Sequence, residues 1–384
     1  MSDIKLEPAL LRPSGFRFGE VSSLTALRDS VSSVPSLGPL AAFTGTFHGS
    51  GFNTIFRPDS GSPTKLPVPV TGDNLLELNL TQETLSFSPA LGSVPNRGEV
   101  MPDIFLNGVP YLQVINDVTV PSQPVGIHVE PGLWMAVPPT TTPAEGPTVF
   151  RMGSIPHGTT IEAQGTSETI SGKPTIAAVD ITPFVIGQPN NKVPFPSQTA
   201  SNKDTARIPQ DLTSFVAAGT ITQAMLTDPN TLLRNHIASQ NITATTVIVI
   251  STEPAAPLFG GGTDNIAFLL GNPSASTPNA NAVKMQAVFW IETVDFSIEV
   301  PVFEPGQPSL IIPAETGAAG QPAPEFLVNP PVAITAPRTI KVTAPQIQYS
   351  QLVLLNFNGL SWPHVSVATL VPANPIPVPA SAFA

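Results

Sequence analysis

Apolar and polar positions alternate in pairs along much of this chain. In LLELNLTQETLSFS, Leu76, Leu78 and Leu80 share one face, and Glu77, Asn79 and Thr81 share the other. That is the period of a strand, not of a helix. Similar runs are AAFTGTFHGSGFNTIFRP, YLQVINDVTV, GIHVEPGLWMAVPP, TTIEAQGT, TTVIVIST at 245–252 and VKMQAVFWIETVDFSIEV at 283–300. QIQYSQLVLLNF and WPHVSVATLV form a closing hairpin across NGLS. Turn signals such as SPALGSVPNRGE and PPTTTPAEGP separate the runs. Helical spacing shows mainly between residues 209 and 240, where TDPNTLL carries a cap and a first-turn proline. It predicts two short helices, about 209–225 and 229–240. SLTALRDSVSSV predicts another short helix near the start.

Strands in series without strand–helix alternation predict a mainly β chain: an antiparallel barrel of about 8–10 strands, because closure removes exposed edges. A barrel of about eight strands can hold one small ligand. The expected organisation is a lead-in at 1–41 packed on the barrel and one elaborated barrel domain at 42–371. That domain includes the helical insertion and a Pro-rich excursion at 301–345, and 372–384 forms a tail.

Composition sharpens this picture. Proline accounts for 46 of 384 residues and charged residues for only 11%, where about 25% charged is usual. Prolines in such number point to loops and extended connections rather than helix interiors or central strands. The net charge is −11 with no basic cluster, which argues against nucleic acid and anionic membrane surfaces as partners. Cysteine is absent, so disulfides, thiolate zinc sites and thiolate catalysis are excluded. No secretory signal or membrane-spanning run is visible, and a cytoplasmic location is the expectation.

Chemistry-bearing motifs are sparse. Gly260–Gly262 lacks the following Lys and Ser/Thr of a phosphate loop and reads as an ordinary loop. No Gly-x-Ser-x-Gly elbow is present. His128 and Glu130 share a strand face at a spacing that could bind metal, but one pair is not a site. For His48, His128 and His157 a hydrogen-bonded structural role is the simpler reading. In WPHVSVATL, His364, Ser366 and Ala368 point one way and Val365, Val367 and Thr369 the other. His, Ser and Ala leave space in front of them. An imidazole beside such space is either satisfied locally or placed to ligate a planar cofactor.

Four stretches, taken in order, resemble the nitrobindin-like haem-binding β-barrels of the calycin class, which are related in shape to fatty-acid-binding proteins and lipocalins. GTFHGSGFNTIF at 45–56 is similar to the family's G-T-W-x-G-x-G…Y-P-T-I strand, with Phe47 at the Trp position and Phe52-Asn53 at Tyr-Pro. YLQVINDV followed by HVEPGLWM resembles Y-x-Q and H-x-E-x-G-x-x-R, with His128, Glu130 and Gly132 matching and Met135 at the Arg position. IPHGTTIEAQG is weakly similar to a family strand pair, and the final hairpin resembles the one carrying the axial histidine. The resemblance covers about 42–165 and 283–371. It implies haem as cofactor, His364 as the iron ligand, and Thr54 and Ile55 beside the haem, with His128 at a matching cofactor-side position. It also implies chemistry on nitrogen oxides or peroxides at ferric iron. Two other readings remain: a non-enzymatic carrier of an apolar ligand such as a fatty acid, and a structural or assembly protein. Homo-oligomers fit any of the three.

Overall fold

The computed structural model describes residues 34–58, 74–271, 279–317 and 320–383. Ten long antiparallel strands form its frame: β1 Gly45–Pro58, β2 Asn74–Phe87, β3 Ile104–Asp117, β4 Val125–Val137, β5 Thr148–Ile155, β6 Thr159–Ser171, β7 Asn241–Ser251, β8 Asn281–Val300, β9 Arg338–Phe357 and β10 Leu360–Pro372. Each pairs with the next in sequence, and β10 returns to β1 through the register Phe47↔Pro372 to Thr54↔Val365. The sheet is therefore a closed up-and-down barrel. The β9–β10 hairpin turns on Asn358 (φ 48°) and Gly359 (φ 75°). Two left-handed residues in a two-residue loop match the twist of the flanking strands, which is why Asn-Gly marks this turn.

Prolines also occupy the interiors of barrel strands, contrary to the reading that confined them to loops. Pro110, Pro131, Pro345 and Pro363 lie within β3, β4, β9 and β10. Each gives up one ladder donor, a loss that long strands absorb over their many remaining pairs.

Between β6 and β7 the chain leaves the barrel and covers its outside. This insertion contains α1 Thr213–Ala218, α2 Gln223–Thr227 and α3 Thr231–Ile237, three helices where two were expected. Gly219 ends α1 in the left-handed conformation (φ 71°), and the Thr222 hydroxyl accepts from Met225 N–H to start α2. Leu212, Ile221, Met225, Leu226, Leu233 and Ile237 pack on Phe52, Phe56, Leu76, Leu78, Trp290 and Trp362. Burial of each such side chain contributes about 2 kcal/mol. The leucine face of β2 thus looks outward under the insertion, and its polar face looks into the lumen.

A polar layer lies within this interface. Gln346 Nε2 donates to Glu292 Oε2 (2.6 Å), and Gln240 and Gln346 exchange amide bonds (2.9 Å). His236 Nδ1 and Thr369 Oγ1 are 2.9 Å apart. The second Glu292 oxygen is buried without a hydrogen-bond partner.

The excursion after β8 is shorter than expected, because β9 begins at Arg338 and takes in residues 338–345. Leu310–Pro313 pairs with Glu325–Val328, which Ile376–Pro377 joins in parallel. Phe383 is buried with Phe303, Phe326 and Ile340. At the opposite end of the chain, Leu40 and Phe43 are buried against the barrel core, with Phe43 stacked on Phe87 at 4.6 Å. The short helix expected in SLTALRDSVSSV lies, except for its last residue, outside the described residues. No helix among the described residues is long and apolar enough to cross a membrane.

Candidate functional site

Strand alternation fixes what the lumen contains. Phe47, Phe87, Trp134 and Phe289 fill one end as an apolar core. The other end is a cavity of about 480 Å³, lined in part by Asn53, Ile55, His128, His157, His364 and Ser366. Its size lies within the range of small-molecule sites, about 300–1,000 Å³.

The face of β10 divides as its sequence predicts. His364 and Ser366 line the cavity, and Val365 and Val367 pack outward under the insertion. His364 Nδ1 is 3.0 Å from the Thr54 carbonyl oxygen. A carbonyl only accepts, so Nδ1–H donates and the neutral ring keeps its lone pair on Nε2. Burial lowers the His364 pKa to about 4, against the opposing effect of the Thr54 bond, with His128 and His157 adding to the depression. The imidazole is therefore neutral at pH 7.

Ile55 lines the cavity, but the Thr54 side chain does not. It lies on the opposite strand face, with its hydroxyl buried and unpartnered. Only its backbone carbonyl serves the site. The resemblance placed both residues beside a cofactor; two-residue alternation permits one side chain. His48 is exposed and lies outside the cavity.

β4 stands four strands from β10 around one side of the ring and six around the other, so His128 faces His364 across the lumen. The expected His128–Glu130 juxtaposition is present, with Nε2 3.2 Å from Glu130 Oε2. The His157 ring lies 6.1 Å from that of His128. Burial lowers the His157 pKa, with the charge of His128 next in effect.

Below the cavity lies a polar layer that sequence reasoning missed. Arg151 donates to Glu130 Oε1 (2.6 Å), to the Tyr111 hydroxyl (2.8 Å) and to Gln351 Oε1 (2.9 Å). Tyr111 O–H donates to Glu130. The Arg151 guanidinium stacks over Tyr111, Trp134 and Phe289 at 5.2, 5.6 and 5.5 Å from their ring centres. Burial works to raise the Glu130 pKa, but Arg151 and the His128 and Tyr111 bonds overcome it and hold it at about 2. Alongside, Glu83 accepts from Tyr349 (2.5 Å) and Thr81 (2.8 Å). Among the described residues no Lys or Arg forms an ion pair with it, and burial raises its pKa against the hydrogen bonds from Tyr349, Thr81 and Gln113.

Facing glycines make room for this layer. Gly132 and Gly153 are cross-strand partners. A Cβ on Gly153 would lie 2.4 Å from Glu130 Oε1, and one on Gly132 would lie 2.4 Å from the Tyr111 ring.

Met135 stands where the motif has arginine, and the buried arginine of this layer is Arg151. It arrives from the neighbouring strand, directly across from Trp134. The one available signal was a lone arginine in the alternating run TVFRMGSI of a chain with only 16 basic residues. Glu83, Gln113 and Tyr349 gave no local signal.

Among the described residues no three His, Cys, Asp or Glu side chains are placed to hold a metal ion. Gly261 and Gly262 border a separate, open groove on the outside of β4–β6, whose lining includes no basic residue. Gly260 and Gly261 lie in a loop, as the glycine run suggested, but Gly262 opens a short strand to Asn265 that pairs with β6.

No family model matches the chain, and no curated protein matches it. A solved structure titled as the crystal structure of Rv2717c from M. tuberculosis is similar over 89% of this chain and 100% of its own, at 10% identity and TM-score 0.33. The closed barrel is established by the strand pairing itself.

Proposed function

We propose that this barrel binds haem, with His364 Nε2 as the axial ligand. The carrying observation is that the His364 imidazole lines the cavity with its Nδ1 tied to the Thr54 carbonyl, which leaves Nε2 free to face a ligand. Metal-bound histidines are oriented by such second hydrogen bonds. A bare ion would need three or four protein ligands, which the described residues do not bring together. His364 acting alone would suit a metal that arrives with its other donors in a macrocycle. Ile55 would pack beside the group. Bound haem would supply iron-centred chemistry toward nitrogen oxides or peroxides.

The donor set fits haem better than a fatty acid. Arg57, at the cavity, is paired with Glu77 (2.9 Å), and Arg151 with Glu130 (2.6 Å). Asn53, Asn79 and Ser366 add a polar wall that suits a long apolar acyl chain poorly.

The test is titration of the purified protein with hemin, followed by absorption. The expected outcome is a saturable Soret band for the wild type, with affinity reduced at least about 100-fold in His364→Ala, the loss of an axial bond worth several kcal/mol. Equal hemin uptake by both proteins, or none by the wild type, refutes the assignment.

A further inference from the structure

The histidine on the opposite wall is held differently from His364. Ionised Glu130 has no proton to give, so His128 Nε2–H donates to its Oε2. In the neutral ring this leaves Nδ1 as a base on a side chain that lines the cavity. Glu130 is itself fixed: it is fully buried, and its other oxygen is taken by Arg151 and Tyr111. A carboxylate that sets a histidine's tautomer and orientation, locked in turn by an arginine, is a constellation for proton transfer. Simple structural filling of the wall by His128 would not require a buried ion pair behind it.

We propose that His128, positioned by Glu130, is the proton-transfer residue of the cavity, and that its substrate class is a hydroperoxide. The inference rests on the haem reading. In the step, the O–H bond of the hydroperoxide breaks, its proton passes to His128 Nδ1, and the electron pair stays on the terminal oxygen of the resulting peroxide anion. Nitric oxide has no proton to surrender and gains nothing from such a residue. The charged and titratable groups around His128 are Glu130 on its own strand, Glu83 from β2, Arg151 from β5, His157 from the β5–β6 turn and His364 from β10, with the Arg57–Glu77 pair also lining the cavity.

Two measurements test this. In the ligand-free protein, nitrogen-detected NMR of His128 should show the Nε2–H tautomer; an Nδ1–H tautomer overturns the proposal. In hemin-loaded protein, association of cyanide and of nitric oxide is compared between wild type and His128→Gln. Gln keeps a donor for Glu130 but has no basic nitrogen. Cyanide enters as hydrogen cyanide and must lose its proton to bind iron. Its association should slow about 100-fold in the variant while nitric oxide association stays within about twofold. An unchanged cyanide rate, or equal slowing of both ligands, overturns the proton role and leaves the haem reading intact. A variant-dependent change of axial ligand in the spectrum would place His128 on the iron and also overturn it. Failure of the wild type to take up hemin removes the haem reading and this inference together.

Discussion

Glu292→Gln should stabilise the protein, and by an amount that grows with pH. Glu292 sits between the barrel and its insertion, with one oxygen bound by Gln346 and the other unpartnered. Burial raises its pKa from 4.5 to about 8, only partly opposed by Gln346 and the charge of Lys173. Below pH 4.5 the group is protonated whether the chain is folded or unfolded, and it adds no pH dependence. Between 4.5 and about 8 the unfolded chain releases the proton and the folded chain keeps it, so stability falls as pH rises. At about 1.4 kcal/mol per unit, the penalty is about 1 kcal/mol at pH 5, about 3 at pH 6.5 and about 4 at pH 8. Gln mimics the protonated acid and does not titrate, so it removes the penalty. Two buried histidines run the other way: His236 and His364 are held at about 4, so the stability they withhold in acid returns as pH rises to about 6.5. They are silent above that pH, which makes 6.5 to 8 the cleanest window. Urea denaturation of both proteins at pH 5, 6.5 and 8 reads the difference directly. A gap that is constant across the three would refute the placement of a neutral carboxyl beneath the insertion.

Other substitutions probe the lumen. Gly153→Ala places a methyl against Glu130 and Tyr111 and should cost about 3 kcal/mol in urea denaturation by prising apart the Glu130–Arg151 pair; a neutral effect would mean the layer can shift freely. Thr54→Val removes a buried hydroxyl without a partner. It should stabilise the fold by about 1 kcal/mol and leave hemin affinity unchanged, and a large affinity loss would return Thr54 to the site.

The strands were legible because their period is local. The face of β10, the Asn358–Gly359 turn and the unbroken run of β8 follow from residues a few positions apart. The helices were legible in place but not in number, because Gly219 gives no sign in a helical window that it will adopt a left-handed cap. The His128–Glu130 pair could be read from two positions on one strand. The Arg151 layer could not, since it assembles side chains from β2, β3, β4, β5 and β9 whose meeting depends on barrel register. Thr54 failed for the converse reason: a two-residue match to a motif cannot say which of two adjacent side chains turns inward.

The ionic floor beneath the cavity has a consequence for what can be accommodated. A guest can grow toward the mouth but not downward, because reaching the phenylalanine-filled half means parting Glu130 from Arg151, at several kcal/mol. Under the proposed function the floor would therefore set the depth open to a guest, and a long flexible tail would have to part the Glu130–Arg151 pair to enter.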